Sequence, residues 1–152
     1  MNKADPEKMA LDLMRIHGLL EGANPYRFSF NHARREFGSC NTRKRLILLS
    51  AELTKLNSED HARDTILHEI AHALVPDDGH GIEWQRKAIE IGCDGKARDD
   101  DTVIVPQKTY EAVCSFCGAV PRAYRKKNAL CGNCDSVYNP KYQMHYRKVV
   151  NG

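Results

Sequence analysis

The sequence predicts an α+β fold: helices on a small antiparallel sheet over residues 1–101, then a metal-stapled ribbon over 102–152. Three observations predict it. Tyr26, Phe28 and Phe30 alternate with Arg27, Ser29 and Asn31, the period of a half-buried strand. Residues 65–74, TILHEIAHAL, carry two histidines four apart in an apolar helical run. Cys114, Cys117, Cys131 and Cys134 form two C-x2-C pairs, a spacing suited to binding a metal. A chain of 152 residues suffices for one domain with a sizeable core and a small appendage.

The elements follow in order. Asp5-Pro6-Glu7 is a helix start, with a capping acid, proline at the first helical position and a further acid. Met9, Leu13, Ile16 and Leu20 then recur at helical spacing as a core stripe, and Gly22 is a stop. The aromatic strand at 26–31 and a more continuously apolar one at Arg45–Leu53 form a hairpin-like pair. The basic segment between them, with Gly38 as a turn, is its tip. Ser58 caps a second helix that has acids in its first turn and runs to about Val75, where Pro76 ends it. A third helix opens near Ile82, presents Trp84, Ala88 and Ile91 on one side, and ends at Gly92. Residues 93–101, CDGKARDDD, form an exposed acidic connector between the two parts.

Charge divides the chain in the same place. Residues 1–101 carry 15 Lys/Arg and 18 Asp/Glu, whereas 102–152 carry 8 basic and 2 acidic residues, a net +6. That asymmetry points the C-terminal third at an anion. No apolar run approaches the roughly 20 residues of a membrane span, so no membrane partner is expected. The N-terminus, MNKADPEKMALDLMRIHGLL, lacks the pattern of a signal peptide. A cytoplasmic location follows by default, and in a reducing compartment six cysteines read as metal ligands or thiols rather than disulfides.

His68 and His72 lie one helical turn apart, about 6 Å along the axis, which lets two imidazoles converge on one ion. Glu69 flanks that face and can take a proton from a water on the metal without displacing a ligand, the logic of H-E-x-x-H. A catalytic zinc needs a third protein ligand. Asp77, Asp78 and His80 follow the helix break; His80 is favoured because Gly79 and Gly81 let the chain fold back, and Glu90 on the next helix is the rival. His61 stands two turns from His68, ~10 Å, too far to share the ion. His17, His32 and His145 have no partner at useful spacing.

The four ribbon cysteines fit a closed tetrahedral zinc site, structural because it keeps no vacancy. Arg122, Arg125, Lys126 and Lys127 sit between the pairs and offset the negative charge of the zinc–thiolate cluster. Cys40 and Cys93 remain as reduced, partly buried thiols.

FNHARREFGSCNTRKRLILLS (30–50), Leu56-Asn57, DTILHEIAHAL (64–74), GHGIEWQRKA (79–88) and the terminal cysteine pairs occur together in the order of the SprT-like family. The chain resembles that family from about residue 10 to 148. The resemblance implies a zincin-like metalloprotease core followed by a four-cysteine zinc ribbon. It implies two Zn2+ ions: a catalytic one on His68, His72 and His80 with Glu69 as base, and a structural one on the cysteines. Eukaryotic members include a DNA-dependent protease, and the family is associated with cleaving proteins crosslinked to DNA. The expected function is therefore a zinc-dependent endopeptidase acting on DNA-bound or DNA-crosslinked proteins. Arg34, Arg35, Arg43, Lys44 and Arg45, with Arg122, Arg125, Lys126 and Lys127, would contact DNA phosphates with little sequence preference. Phe37, Tyr124, Tyr142 and Tyr146 are nearby candidates for base stacking. The alternative is a non-catalytic, zinc-bound nucleic-acid adaptor, against which Glu69 argues because zinc binding alone does not need it.

Overall fold

The structure, a computed structural model, describes residues 5–97, 103–134 and 142–149. The chain divides into two compact units, Met1–Pro106 and Gln107–Gly152. The division falls five residues beyond the boundary read from charge. Residues 98–101 of the acidic connector lie outside the described residues, and Cys93 and Gly95 at its start are buried rather than exposed.

Helix α1 (Pro6–Ile16) opens on Asp5, whose side chain accepts from the Glu7 amide. Its buried residues are Ala10, Leu13 and Met14, and Ile16 is 73% exposed. The core face is thus rotated from the 9–13–16–20 stripe, because the helix stops at Ile16 and Gly18 (φ +75°) turns Leu19 inward instead. The turn ends where the Tyr26 amide donates to the Leu19 carbonyl.

Strands β1 (Arg27–Asn31), β2 (Gly38–Asn41) and β3 (Leu46–Ser50) form a sheet in the order β1-β3-β2. β1 and β3 are parallel, and β2 is antiparallel to β3. The expected hairpin between the first and last of these is therefore corrected. The hairpin is β2–β3, and the short strand Gly-Ser-Cys-Asn, without alternation or β-branched residues, gave no strand signal of its own. β3 buries Ile47 and Leu49 and ends at Ser50 instead of running to Leu53. The Ser50 hydroxyl accepts from the Leu53 amide and so caps α2 (Ala51–Leu56).

Ser58 caps α3 (Glu59–Leu74), whose buried residues include Ile66, Leu67, Ile70 and Ala71. Both α1 and β2 pack on α3, as does α4 (Ile82–Glu90), which buries Trp84 and Ala88. These residues, with Phe37 and Leu53, make one core. Each large aliphatic in it contributes about 1.5–3 kcal/mol by leaving water. Buried Asn57 closes the unit. Its side chain donates to the Ile104 and Leu53 carbonyls and accepts from the Ile104 amide.

The second unit contains β4 (Tyr110–Glu111), β5 (Arg122–Ala123), β6 (Asn128–Leu130), β7 (Gln143–His145) and β8 (Arg147–Lys148). They pair as β5-β4-β8 and β6-β7, all antiparallel. Its core holds Ala112, Ala123, Met144 and Tyr146 beside Cys114 and Cys131. So few apolar side chains match a module that a metal has to stabilise.

Candidate metal centres and active site

Helix α3 presents His68 and His72 one turn apart, and the loop after Pro76 returns His80 to meet them. The three Nε2 atoms lie 3.1 Å (68–80), 3.2 Å (68–72) and 3.0 Å (72–80) apart. Each Nε2 carries either one hydrogen or one lone pair, so no choice of tautomers lets all three nitrogens of so tight a triangle hydrogen-bond to one another. A shared cation resolves the arrangement: tetrahedral zinc with ~2.0–2.1 Å bonds sets its nitrogens about 3.3 Å apart. The donor set therefore fits zinc and leaves a fourth position open.

Burial, and then the neighbouring His80, pushes His68 down to about 4. His72 is likewise pushed to about 4 by burial and by the two other imidazoles. Both are neutral at pH 7, the form that ligates metals. A hydrogen bond to the Lys96 backbone and the charge of Asp94 work in the opposite direction on His68. Such outer partners orient a ligating ring. Neither was evident from the sequence, because both follow α4 in the chain, 26 and 28 residues after His68.

Glu69 is 6% exposed and lines, with the three histidines, a cavity of about 760 Å3. β2 forms part of the wall through Gly38, Ser39 and Cys40. A Cβ on Gly38 would come within 2.7 Å of Thr65 Cγ2 and 3.1 Å of Glu69 Cγ, so glycine is what allows the strand to lie this close to the helix. Burial, and then the Glu69 charge, pushes the Cys40 thiol up to about 12, which leaves it protonated and inert. Buried Cys93 is similarly pushed up to about 12.

The rivals for third ligand have other work. Glu90 pairs with Lys87 at 2.8 Å. Asp78 accepts the Trp84 amide, and Asp77 is exposed. His32 faces Glu52 and His145 faces Asn128. Among the described residues a further cluster, Asp64, Cys93 and Asp94, could hold an ion by proximity. Its carboxylates already accept the Asp94 and Lys96 amides.

In the ribbon the four cysteines converge, with Sγ–Sγ separations of 3.8 Å (114–134) and 3.6 Å (117–131). Zinc–sulfur bonds of ~2.3 Å imply about 3.8 Å between sulfurs, so this set also fits zinc. Backbone amides, first that of Cys117, hold Cys114 down at about 6, whereas burial raises Cys134.

Residues 15–104 match the model of the SprT-like family, more than half of the chain. The chain belongs to the SprT-like family. The SprT-like region spans both metal-site elements of the first unit and ends before the ribbon. The fold is similar to that of the metallopeptidase zymogen jannalysin of Methanocaldococcus jannaschii. The TM-score is 0.50 and the identity 16%, over 58% of this chain and 82% of that one. The metallopeptidase zymogen abylysin of Pyrococcus abyssi matches with a TM-score of 0.44 and 18% identity, over 57% and 88%. A comparison with curated proteins gives no match. At 16% identity the likeness to jannalysin is one of fold.

The basic residues separate into two groups, one in each unit. Arg34, Arg35, Arg43 and Lys44 are exposed around β2. Arg45 is engaged in the fold: at φ +52° it closes the hairpin, donates to the Asn24 carbonyl and lies 4.5 Å over the Tyr26 ring. In the ribbon Arg122, Arg125, Lys126 and Lys127 are exposed; Arg122 approaches Glu111 at 3.6 Å and Lys127 lies over Tyr146. Phe37 and Tyr146 are only 1% and 4% exposed, so they pack the two cores and cannot stack on bases. Phe116, 68% exposed beside Tyr142, is an aromatic the spacing did not single out. No helix among the described residues is long and apolar enough to cross a membrane.

Proposed function

We propose that this SprT-like protein is a zinc-dependent endopeptidase whose substrates are proteins bound or crosslinked to DNA. The observation that carries the catalytic part is the triangle of Nε2 atoms at 3.0–3.2 Å with Glu69 buried beside it on the same helix. His68, His72 and His80 would hold the catalytic zinc, and Cys114, Cys117, Cys131 and Cys134 a structural one. A zinc ion held by three histidines polarises a carbonyl and makes its bound water more acidic.

This chain's own residues do the rest. Glu69 accepts a proton from the attacking water while the water oxygen bonds to the scissile carbonyl carbon. As the C–N bond breaks, Glu69 returns that proton to the amine leaving group. Glu69, 6% exposed, is packed into the wall of the cavity that the three histidines also line, which restricts where its carboxylate can point. That cavity of about 760 Å3 is where the scissile bond would have to lie. The DNA-linked substrate class is supported by family membership and by the net +6 of residues 102–152.

The test incubates zinc-loaded protein with a DNA-bound protein substrate, with and without chelator, alongside Glu69→Gln. Glutamine keeps the size and hydrogen bonds of glutamate but cannot take the proton, so cleavage should cease while zinc content stays at two per chain. Cleavage by Glu69→Gln at the wild-type rate rules out Glu69 as the base. Cleavage of free but not DNA-bound protein overturns the substrate class alone.

A further inference from the structure

Trp84 touches every histidine of the site. Its ring centroid lies 4.7 Å from that of His68, 5.2 Å from His72 and 4.6 Å from His80. It stacks on His72 at 26° and meets the other two edge-on, at 62° and 85°. The three histidines come from α3 and from the loop behind it, whereas Trp84 comes from the first turn of α4. One rigid ring, 1% exposed, therefore braces ligands from two segments of chain.

Trp84 Nε1 is buried and has no protein acceptor among the described residues. The ring meets the histidines through its faces and edges, not through a hydrogen bond. Leucine or phenylalanine would also fill a core position, but neither offers a surface wide enough to contact three imidazoles at once.

We infer that Trp84 is a positioning residue for the histidine metal site, holding the three imidazoles at ligating separation through direct ring contacts. This rests on the reading of His68, His72 and His80 as zinc ligands. An imidazole free to change rotamer must be recaptured each time it swings away, and every such excursion is a route for the ion to leave. Ring packing closes that route, as outer partners do for other metal sites.

The experiment loads the full chain with zinc, adds excess EDTA and follows zinc release with a colorimetric indicator. The slower-released ribbon zinc is the internal standard. Trp84→Leu should release the histidine-site zinc about tenfold to a hundredfold faster, the range for loss of a ligand's outer support. Trp84→Phe, which keeps one ring, should release it roughly two- to tenfold faster. Leu53→Ala, a buried core truncation outside the lining of the histidine cavity, should leave the rate at the wild-type value. If Trp84→Leu does not fold, Trp84→Phe and Leu53→Ala still decide. Release from Trp84→Phe at the wild-type rate overturns the inference, and so does equal acceleration by Leu53→Ala, which would make the effect general loosening. A His68→Ala variant with the same zinc content as wild type removes the metal site itself, and that is failure of the underlying reading.

Discussion

The Asp78 carboxylate accepts the backbone amide of Trp84 at 2.9 Å. Helix α4 has glycine at its cap position, Gly81, which offers no side-chain acceptor. Asp78 supplies one from three residues upstream, and its negative charge faces the positive end of the helix dipole. The loop that carries His80 is thereby folded over the carboxylate. A Cβ at Gly81 would fall 2.5 Å from an Asp78 oxygen, so the glycine is required by that approach. One hydrogen bond thus ties the third histidine's loop to the helix that bears Trp84.

Replacing Asp78 should therefore be felt in two places. Asp78→Ala loses a helix cap and should lower unfolding free energy by about 0.5–2 kcal/mol, read by thermal or denaturant unfolding. Zinc should leave the histidine site sooner in the same variant. Asp78→Asn, which keeps an acceptor oxygen, should retain most of both. Unchanged stability in Asp78→Ala would mean that the cap is dispensable.

Gly38 and Glu69 make a second tight pair across β2 and α3. Gly38→Ala puts a methyl 2.7 Å from Thr65 Cγ2 and 3.1 Å from Glu69 Cγ, and both neighbours belong to a packed helix. The expected cost is about 1–3 kcal/mol of overpacking, with turnover reduced because Glu69 is displaced. Thr65→Ser removes the methyl but keeps the hydroxyl that donates to the His61 carbonyl. The double variant Gly38→Ala/Thr65→Ser should recover stability and part of the turnover. Failure of that rescue would locate the damage elsewhere than the Thr65 contact.

The parts of this site that were legible in sequence are those whose geometry is local. His68 and His72 are related by one helical turn, the Ser58 cap by an adjacent hydroxyl, and the cysteine pairs by two intervening residues. The misreadings share a different cause. β2 is four small or polar residues that become a strand only because β3 offers them an edge and α3 lies close behind. The stretch Arg45–Leu53 looks like one apolar strand, yet Ser50 turns its own hydroxyl into a cap and starts a helix there. Trp84 reads as one more core residue in a helical stripe, and its contact with three histidines exists only once the Asp78 loop has brought α4 beneath α3.

Acid should destabilise the first unit when metal is removed. His68 and His72 are held near 4 in the fold, against 6.5 for an ordinary imidazole. Between those values the unfolded chain binds more protons than the folded one, so lowering the pH favours unfolding. The stabilisation is fully present above pH 6.5 and is lost progressively as pH falls to about 4. Unfolding of EDTA-treated protein across pH 4–7 should show this slope, and His68→Gln/His72→Gln should flatten it. A wild-type slope in that double variant would assign the acid sensitivity to other groups.

Binding of DNA by the ribbon should respond unequally to its four basic residues. Each phosphate contact releases condensed counterions, so binding weakens with salt at roughly 0.7–0.9 in log–log slope per contact. Arg122 already lies 3.6 Å from Glu111, and Lys127 sits 5.0 Å over the Tyr146 ring. A phosphate must compete with those partners. Arg125 and Lys126 are exposed in the turn between β5 and β6. Arg125→Ser/Lys126→Ser should then reduce the salt slope by the amount of two contacts, and Arg122→Ser/Lys127→Ser by less. Zinc content should be the same in all of them, since none supplies a ligand. Sequence preference should be slight, because neither the ribbon nor the β2–β3 hairpin presents a helix to the major groove. Fluorescence anisotropy with labelled DNA at several salt concentrations measures the slopes. If both double variants keep the wild-type slope, the ribbon charge does not meet phosphate, and the basic residues Arg34, Arg35, Arg43 and Lys44 around β2 become the surface to test.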